Sequence, residues 1–154
     1  MLRSLAIIAV CAVTVGGLLA PTFLDSASAG TTDLLLMERP CGAKGSYCRT
    51  IPNGAPGSLG DKFVFSVPLD SRSGDARVGR EEGECITLQG ATPRSYCDFV
   101  AHLDGGDVAA QGTLASITSR PSVFAVVGGT GTYEGATGYW HQSGRTVTLH
   151  LVIP

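Results

Sequence analysis

Residues 124–140 read FAVVGGTGTYEGATGYW, and this stretch decides the fold. Phe124, Ala125, Val126 and Val127 are apolar strand formers, and Gly128, Gly129 and Gly131 permit the tight reversal that follows. Thr132, Tyr133, Thr137, Tyr139 and Trp140 then resume strand composition. Gly135 and Gly138 fall where a curved strand needs bulges or a close backbone approach, as in a barrel wall. The same letters mimic a glycine-rich dinucleotide loop. That fingerprint needs a helix N-terminus inside a βαβ unit and an acidic residue about 20 positions on. Here the turn runs into β-like, glycine-broken sequence, and no Lys-Ser or Lys-Thr pair follows the glycines as a phosphate loop requires.

Working outward from this hairpin, six more strands are expected. Residues 34–38 form a short first strand, and 40–60, rich in Gly, Pro and Ser, form a long loop. In 62–69, Phe63, Phe65 and Val67 alternate with Val64 and Ser66, and Pro68 weakens the strand near its end. After a turn at 70–74 the strand at 76–88 has a poor pattern. Residues 96–103 alternate better, with Cys97, Phe99, Ala101 and Leu103 against Asp98, Val100 and His102, and Asp104-Gly105-Gly106-Asp107 is a hairpin turn. Strands at 108–117 and 146–153, with the opening pair at 122–127 and 132–141, bring the count to eight. No stretch sustains a 3.6-residue period, so the class is all-β, a barrel or a sandwich.

At the N-terminus, Met1-Leu2-Arg3, an apolar run from Leu5 to Ala20 and Ala27-Ser28-Ala29 make the three parts of a secretory signal peptide, residues 1–29. The run is short for a spanning helix, is interrupted by Gly16 and Gly17 and is closed by Pro21, so no stable membrane insertion is expected after cleavage. Residues 30–154 are then one secreted, extracellular domain. The net charge of −2 is unchanged by cleavage, because Arg3 and Asp25 leave together. Near-neutral charge without a basic cluster argues against nucleic acid as a partner. Export leaves Cys41, Cys48, Cys85 and Cys97, an even count in an oxidising compartment. Four cysteines allow three connectivities, and local spacing favours Cys41–Cys48 and Cys85–Cys97. Positions 85 and 97 are symmetric about Ala91, within a stretch of turn composition at 90–93 that would set them opposite each other. No metal site is expected, since Cys41 and Cys48 lack C-x2-C spacing and His102, His141 and His150 are scattered.

The Gly-Gly-Thr-Gly hairpin resembles that of the allene oxide cyclase barrel superfamily, which includes plant allene oxide cyclases and dirigent proteins. Leu59-Gly60-Asp61, Ser73-Gly74-Asp75, Arg77-Val78-Gly79, Gly83, Cys85, Gln89, Gln111-Gly112 and Tyr133-Glu134-Gly135-Ala136 follow in the family's order. Val78-Gly79-Arg80 with Gly83 is similar to a dirigent strand motif. The resemblance covers the chain from about Leu34 onward. It implies an eight-stranded antiparallel β-barrel, a size whose interior is filled by side chains or holds one small ligand. It also implies a homotrimer, and a small apolar or phenolic partner whose cyclisation or coupling the barrel guides without a cofactor.

Family membership does not fix the reaction, and the site residues depart from the pattern. Glu38 occupies the place of a carboxylate on the first cyclase strand, where a buried acid stabilises developing positive charge or acts as a base. The competing reading is a strand-end charge paired with Arg39 or Arg80. Pro40 stands where a water-binding asparagine is expected, and Leu114 replaces an aromatic. Ser66-Val67-Pro68-Leu69 replaces the Asp-Asp-Pro-Leu of dirigent proteins. These changes argue against true allene oxide cyclase activity and keep open a second class, a non-catalytic exported binding or structural barrel. Phe65, Arg80, Glu82, Phe99 and Tyr133 are candidates for the ligand pocket. For Arg80 and Glu82 an exposed ion pair is the plainer reading, and for Tyr133 packing is.

Overall fold

A computed structural model describes residues 29–89, 94–114 and 121–154. Residues 1–28 of the signal peptide expected over 1–29, the turn expected at 90–93 and the end of the strand expected over 108–117 lie outside the described residues. The strands are β1 (Gly30–Glu38), β2 (Tyr47–Ile51), β3 (Lys62–Ser71), β4 (Arg77–Gln89), β5 (Arg94–Leu103), β6 (Gly106–Leu114), β7 (Ser122–Gly129), β8 (Thr137–Ser143) and β9 (Thr146–Ile153). Each pairs antiparallel with the next from β2 to β9, and β1 closes the circle by pairing with both β9 and β3.

Nine strands make eight staves because β1 and β2 share one. Leu36, Met37 and Glu38 lie opposite Ser71, Asp70 and Leu69, and Tyr47 to Ile51 take over along the same edge of β3 from Ser66 to Lys62. The chain leaves the wall between them and is clamped by the Cys41–Cys48 disulfide. The loop expected over 40–60 therefore contains a strand. Residues 47–51 have strand composition, but their flanks of Gly, Pro and Ser hide so short a run.

The break explains Pro68. Its carbonyl accepts from Arg39 N–H at 3.0 Å, so its nitrogen also faces the gap between β1 and β2, where no ladder bond is lost. Residues 67–70 are buried on both faces. The inner face meets the core, and the outer face is covered by the clamped loop, with Gly45 against Pro68 and Arg39 bonded to Asp70 at 2.6 Å. Arg39 and Arg77 together hold the Asp70 carboxyl below its ordinary value, the Arg39 hydrogen bond being the largest cause.

The strand expected over 132–141 is corrected as well. Gly131–Tyr133 is a single 3-10 turn, and β8 begins at Thr137. The core runs along the barrel axis from Leu36, Leu69, Phe99 and Ala101 to Phe124, Trp140, Leu149 and Leu151. Period-2 alternation is plain in β9, where Val147, Leu149 and Leu151 are buried between less buried neighbours.

Both disulfides are present, Cys41–Cys48 and Cys85–Cys97, the second between residues directly opposite on β4 and β5. Removing Cys41–Cys48 with a double alanine variant is expected to cost about 2–3 kcal/mol from loop-closure entropy. Urea unfolding checks this. An unchanged midpoint would show that Arg39–Asp70 and the β2 ladder hold the segment without the clamp.

Candidate functional site

The end of the barrel where β4 leads into β5 holds a cavity of about 550 Å³. Its walls are mainly apolar: Phe63 and Phe65 from β3, Phe99 from β5, Phe124 from β7, and the Cys85–Cys97 bridge. The rings form a connected set. Phe63 and Phe65 lie 5.8 Å apart, Phe65 and Phe99 6.4 Å, and Phe99 meets Phe124 edge-on at 4.9 Å. Trp140, fully buried, packs edge-on against Phe99 at 4.9 Å behind this wall. Such faces suit a flat, apolar or aromatic guest.

The mouth is more polar. Asp61 accepts backbone N–H bonds from Asn53 at 2.5 Å, Gly57 at 2.7 Å and Ser58 at 3.1 Å, which fixes the loop before β3. Two backbone bonds at 2.8 Å, Gly60 N–H to Thr87 and Thr87 N–H to Asp61, tie that loop to β4. Lys62 is paired with Glu84 at 3.0 Å outside.

Besides Asp61 at the mouth, two carboxyl groups among the described residues line this cavity, Glu38 from the end of β1 and Glu81 from the middle of β4. The Gln142 side-chain amide donates to one oxygen of Glu38, and Arg145 Nε donates to the Glu38 backbone carbonyl at 3.0 Å. Burial pushes the Glu38 carboxyl up to about 7, against the attraction of Arg145. Glu81 is 2% exposed, and its Oε2 has no hydrogen-bond partner among the described residues. Burial first, then the neighbouring Glu38 charge, push it well above the ordinary carboxylate range.

The sequence-expected residues separate cleanly. Glu38, Phe65 and Phe99 come together in the cavity wall. Arg80 and Glu82 do not: they lie on the outer face of β4. There the Ser66 hydroxyl donates to Glu82 at 2.7 Å, Arg80 donates to Ser66 and, at 2.7 Å, to the Gly45 carbonyl, and Glu82 is 3.7 Å from His102. Tyr133 is at the opposite end of the barrel, with its hydroxyl 3.4 Å from the Asp104 carbonyl and its ring against the core.

Glu81 is the residue sequence reasoning missed. Along β4 the inward positions are Gly79, Glu81, Gly83 and Cys85, set by their partners Leu103, Ala101, Phe99 and Cys97. A Cβ at Gly83 would collide with the backbone and Cβ of Phe99, so the core there is made by glycine and a neighbouring ring, not by an apolar side chain. The signal was available in parity: Cys85, expected to face Cys97, places Glu81 on the same face four residues earlier.

The described residues form a closed antiparallel barrel with an apolar, acid-bearing cavity at its end. The chain belongs to the allene oxide cyclase barrel-like family, whose domain matches residues 46–151. Among solved structures it is similar to pyocyanin demethylase, at 26% identity and TM-score 0.64, over 79% of this chain and 99% of that one. The pterocarpan synthase dirigent protein GePTS1 is similar in fold, at 17% identity and TM-score 0.64, over 83% and 86%. So is AbnU, an exo-specific intermolecular Diels-Alderase, at 16% identity and TM-score 0.61, over 80% and 98%.

Proposed function

We propose that this barrel binds one small apolar, aromatic or phenolic molecule in the phenylalanine-lined cavity and guides its cyclisation or isomerisation, with Glu38 as the proton-handling group. The observation that carries this reading is a carboxyl, pushed up to about 7 by burial, in the wall of a cavity of about 550 Å³ whose apolar part is built mainly from phenylalanine rings and a disulfide. Names of structural relatives, a demethylase, a pterocarpan synthase and a Diels-Alderase, support chemistry on ring systems. A buried acid costs stability, which favours a catalytic barrel over an inert carrier.

Calorimetric titration with 1-naphthol, a flat phenolic probe, tests the binding half. Saturable one-site binding is expected, weakened about tenfold by Phe65→Ala through loss of ring contact. Heat that never saturates would overturn the reading.

Two further parts of the proposal concern where and how the protein works. The leader pattern and the two disulfides support an extracellular location. The outer face of β7 and β8, with Val123 58% exposed, Val127 50% exposed and Tyr139 exposed, is the surface we assign to a homotrimer. Sedimentation is expected at three times the monomer mass, falling to the monomer in a Val123→Glu/Val127→Glu variant. A wild-type monomer would overturn this part alone.

A further inference from the structure

We propose that Glu38 and Glu81 act as one proton-sharing pair, and that the reaction class of the cavity is prototropic isomerisation of an enolisable aromatic ketone or an equivalent phenol tautomer. This deepens the ligand reading above and rests on it. The two side chains enter one cavity from different staves, Glu38 from β1 and Glu81 from β4. Their surroundings differ in a way that assigns roles. Glu38 has the Gln142 amide from β8 on one oxygen and the Arg145 charge from the β8–β9 turn, so it is the member equipped to carry the negative charge. Glu81 has apolar register neighbours, Val67 on β3 and Ala101 on β5, and its Oε2 has no partner within the described protein. Among the described residues, no lysine, arginine or histidine lines the cavity except Lys62, which is paired with Glu84. The third acid among the described lining residues, Asp61, is occupied by three backbone N–H groups. Two like charges in one apolar cavity repel, so the pair retains one proton, held on Glu81.

The step balances without an oxidant or co-reactant. The Glu38 carboxylate takes a proton from the carbon beside the ketone, the C–H pair becomes a C=C bond, and the carbonyl π pair moves onto oxygen, which takes the proton of Glu81. In the return half, Glu81 recovers the enol proton. The proton on Glu38 then adds to carbon, at the same position or at the far end of a conjugated system. Both acids end as they began, Glu38 ionised and Glu81 protonated.

Carbon NMR titration of glutamate-labelled protein tests the pair without any ligand. Glu38→Gln is expected to lower the midpoint of Glu81 by about one pH unit or more, because it removes the charge beside it, whereas Glu81→Gln leaves the first ionisation, on Glu38, nearly in place. A Glu81 midpoint that does not move in Glu38→Gln overturns the pair. Deuterium exchange into 2-tetralone, with occupancy read from Trp140 fluorescence, tests the chemistry. Wild type is expected to accelerate exchange, and either variant to lose about a hundredfold of that rate. Tetralone that binds but does not exchange overturns the isomerisation while leaving the binding reading intact. Tetralone that does not bind overturns both.

Discussion

Gly131→Ala is expected to destabilise the barrel by about 3–5 kcal/mol, the sum of a side chain forced into left-handed backbone and an overpacked contact. Gly131 has φ +61°, and a Cβ there would run into the Gly105 carbonyl oxygen. The reverse holds as well, since a Cβ at Gly106, with φ +148°, would run into the Thr130 carbonyl. The turn after β7 and the turn before β6 thus dock backbone on backbone. Thr130 N–H to Asp107 and Thr132 N–H to Gly105, both 2.9 Å, and Asp107 N–H to the Thr130 hydroxyl at 3.0 Å stitch them together. Gly144→Ala supplies the control, because Gly144 has φ +60° but nothing within 4 Å of its would-be Cβ. Its cost should be the backbone term alone, about 1 kcal/mol. Urea midpoints of the two variants decide the matter: equal losses would mean the docking contact contributes nothing.

That contact also explains what the opening stretch could and could not tell. The glycines of GGTG announced a reversal correctly, and the all-β class and most strands were legible from alternation and turn chemistry, while the choice of a barrel over a sandwich came from the family resemblance. The kind of reversal was not legible, because it is chosen by a partner about 25 residues earlier, Gly105 and Gly106, and not by local propensity. The same limit hid β2, whose ladder partner among the described residues is β3 alone. Pro68 read as a strand weakener because its tolerance depends on the gap between β1 and β2, a purely tertiary fact.

Of the residues in the cavity wall, Glu38 was singled out by its order along the chain, and Phe65 and Phe99 stood out by alternation. Choosing Arg80 and Glu82 in place of Glu81 was a parity error of one residue. In β4 the inner face carries Gly79 and Gly83, so its hydrophobic signal is missing and the charged outer face looks like the functional one. In a barrel small enough for rings to fill the centre, glycine on one stave is the complement of phenylalanine on the next, here Gly83 beside Phe99. A charged residue with glycines two positions away on either side is then inward by the same parity.

The buried pair makes a second large effect measurable in the protein alone: stability should fall as pH rises through neutrality. In the unfolded chain Glu38 loses its proton near 4.5, and in the folded barrel near 7. Below 4.5 both states hold the proton and burial carries no charge penalty. Between 4.5 and 7 the unfolded chain ionises first, binds fewer protons than the folded one, and is favoured increasingly. The fall from this group amounts to about 3 kcal/mol by pH 7 and levels off above it. Glu81, raised in the same direction by burial and by the Glu38 charge, adds to the loss. Asp70 acts oppositely, since its lowered value adds stability that is lost only as pH drops below the ordinary range. Glu38→Gln should therefore flatten the neutral limb of a stability-against-pH curve, and Glu81→Gln should make the barrel more stable than wild type at pH 8. Denaturant midpoints from pH 4 to 9 test both, and a wild-type curve flat between 4.5 and 8 would contradict the placement of these acids. Two acids buried in one apolar cavity lower the stability of the barrel at neutral pH, a cost that the proposed proton chemistry at this site accounts for.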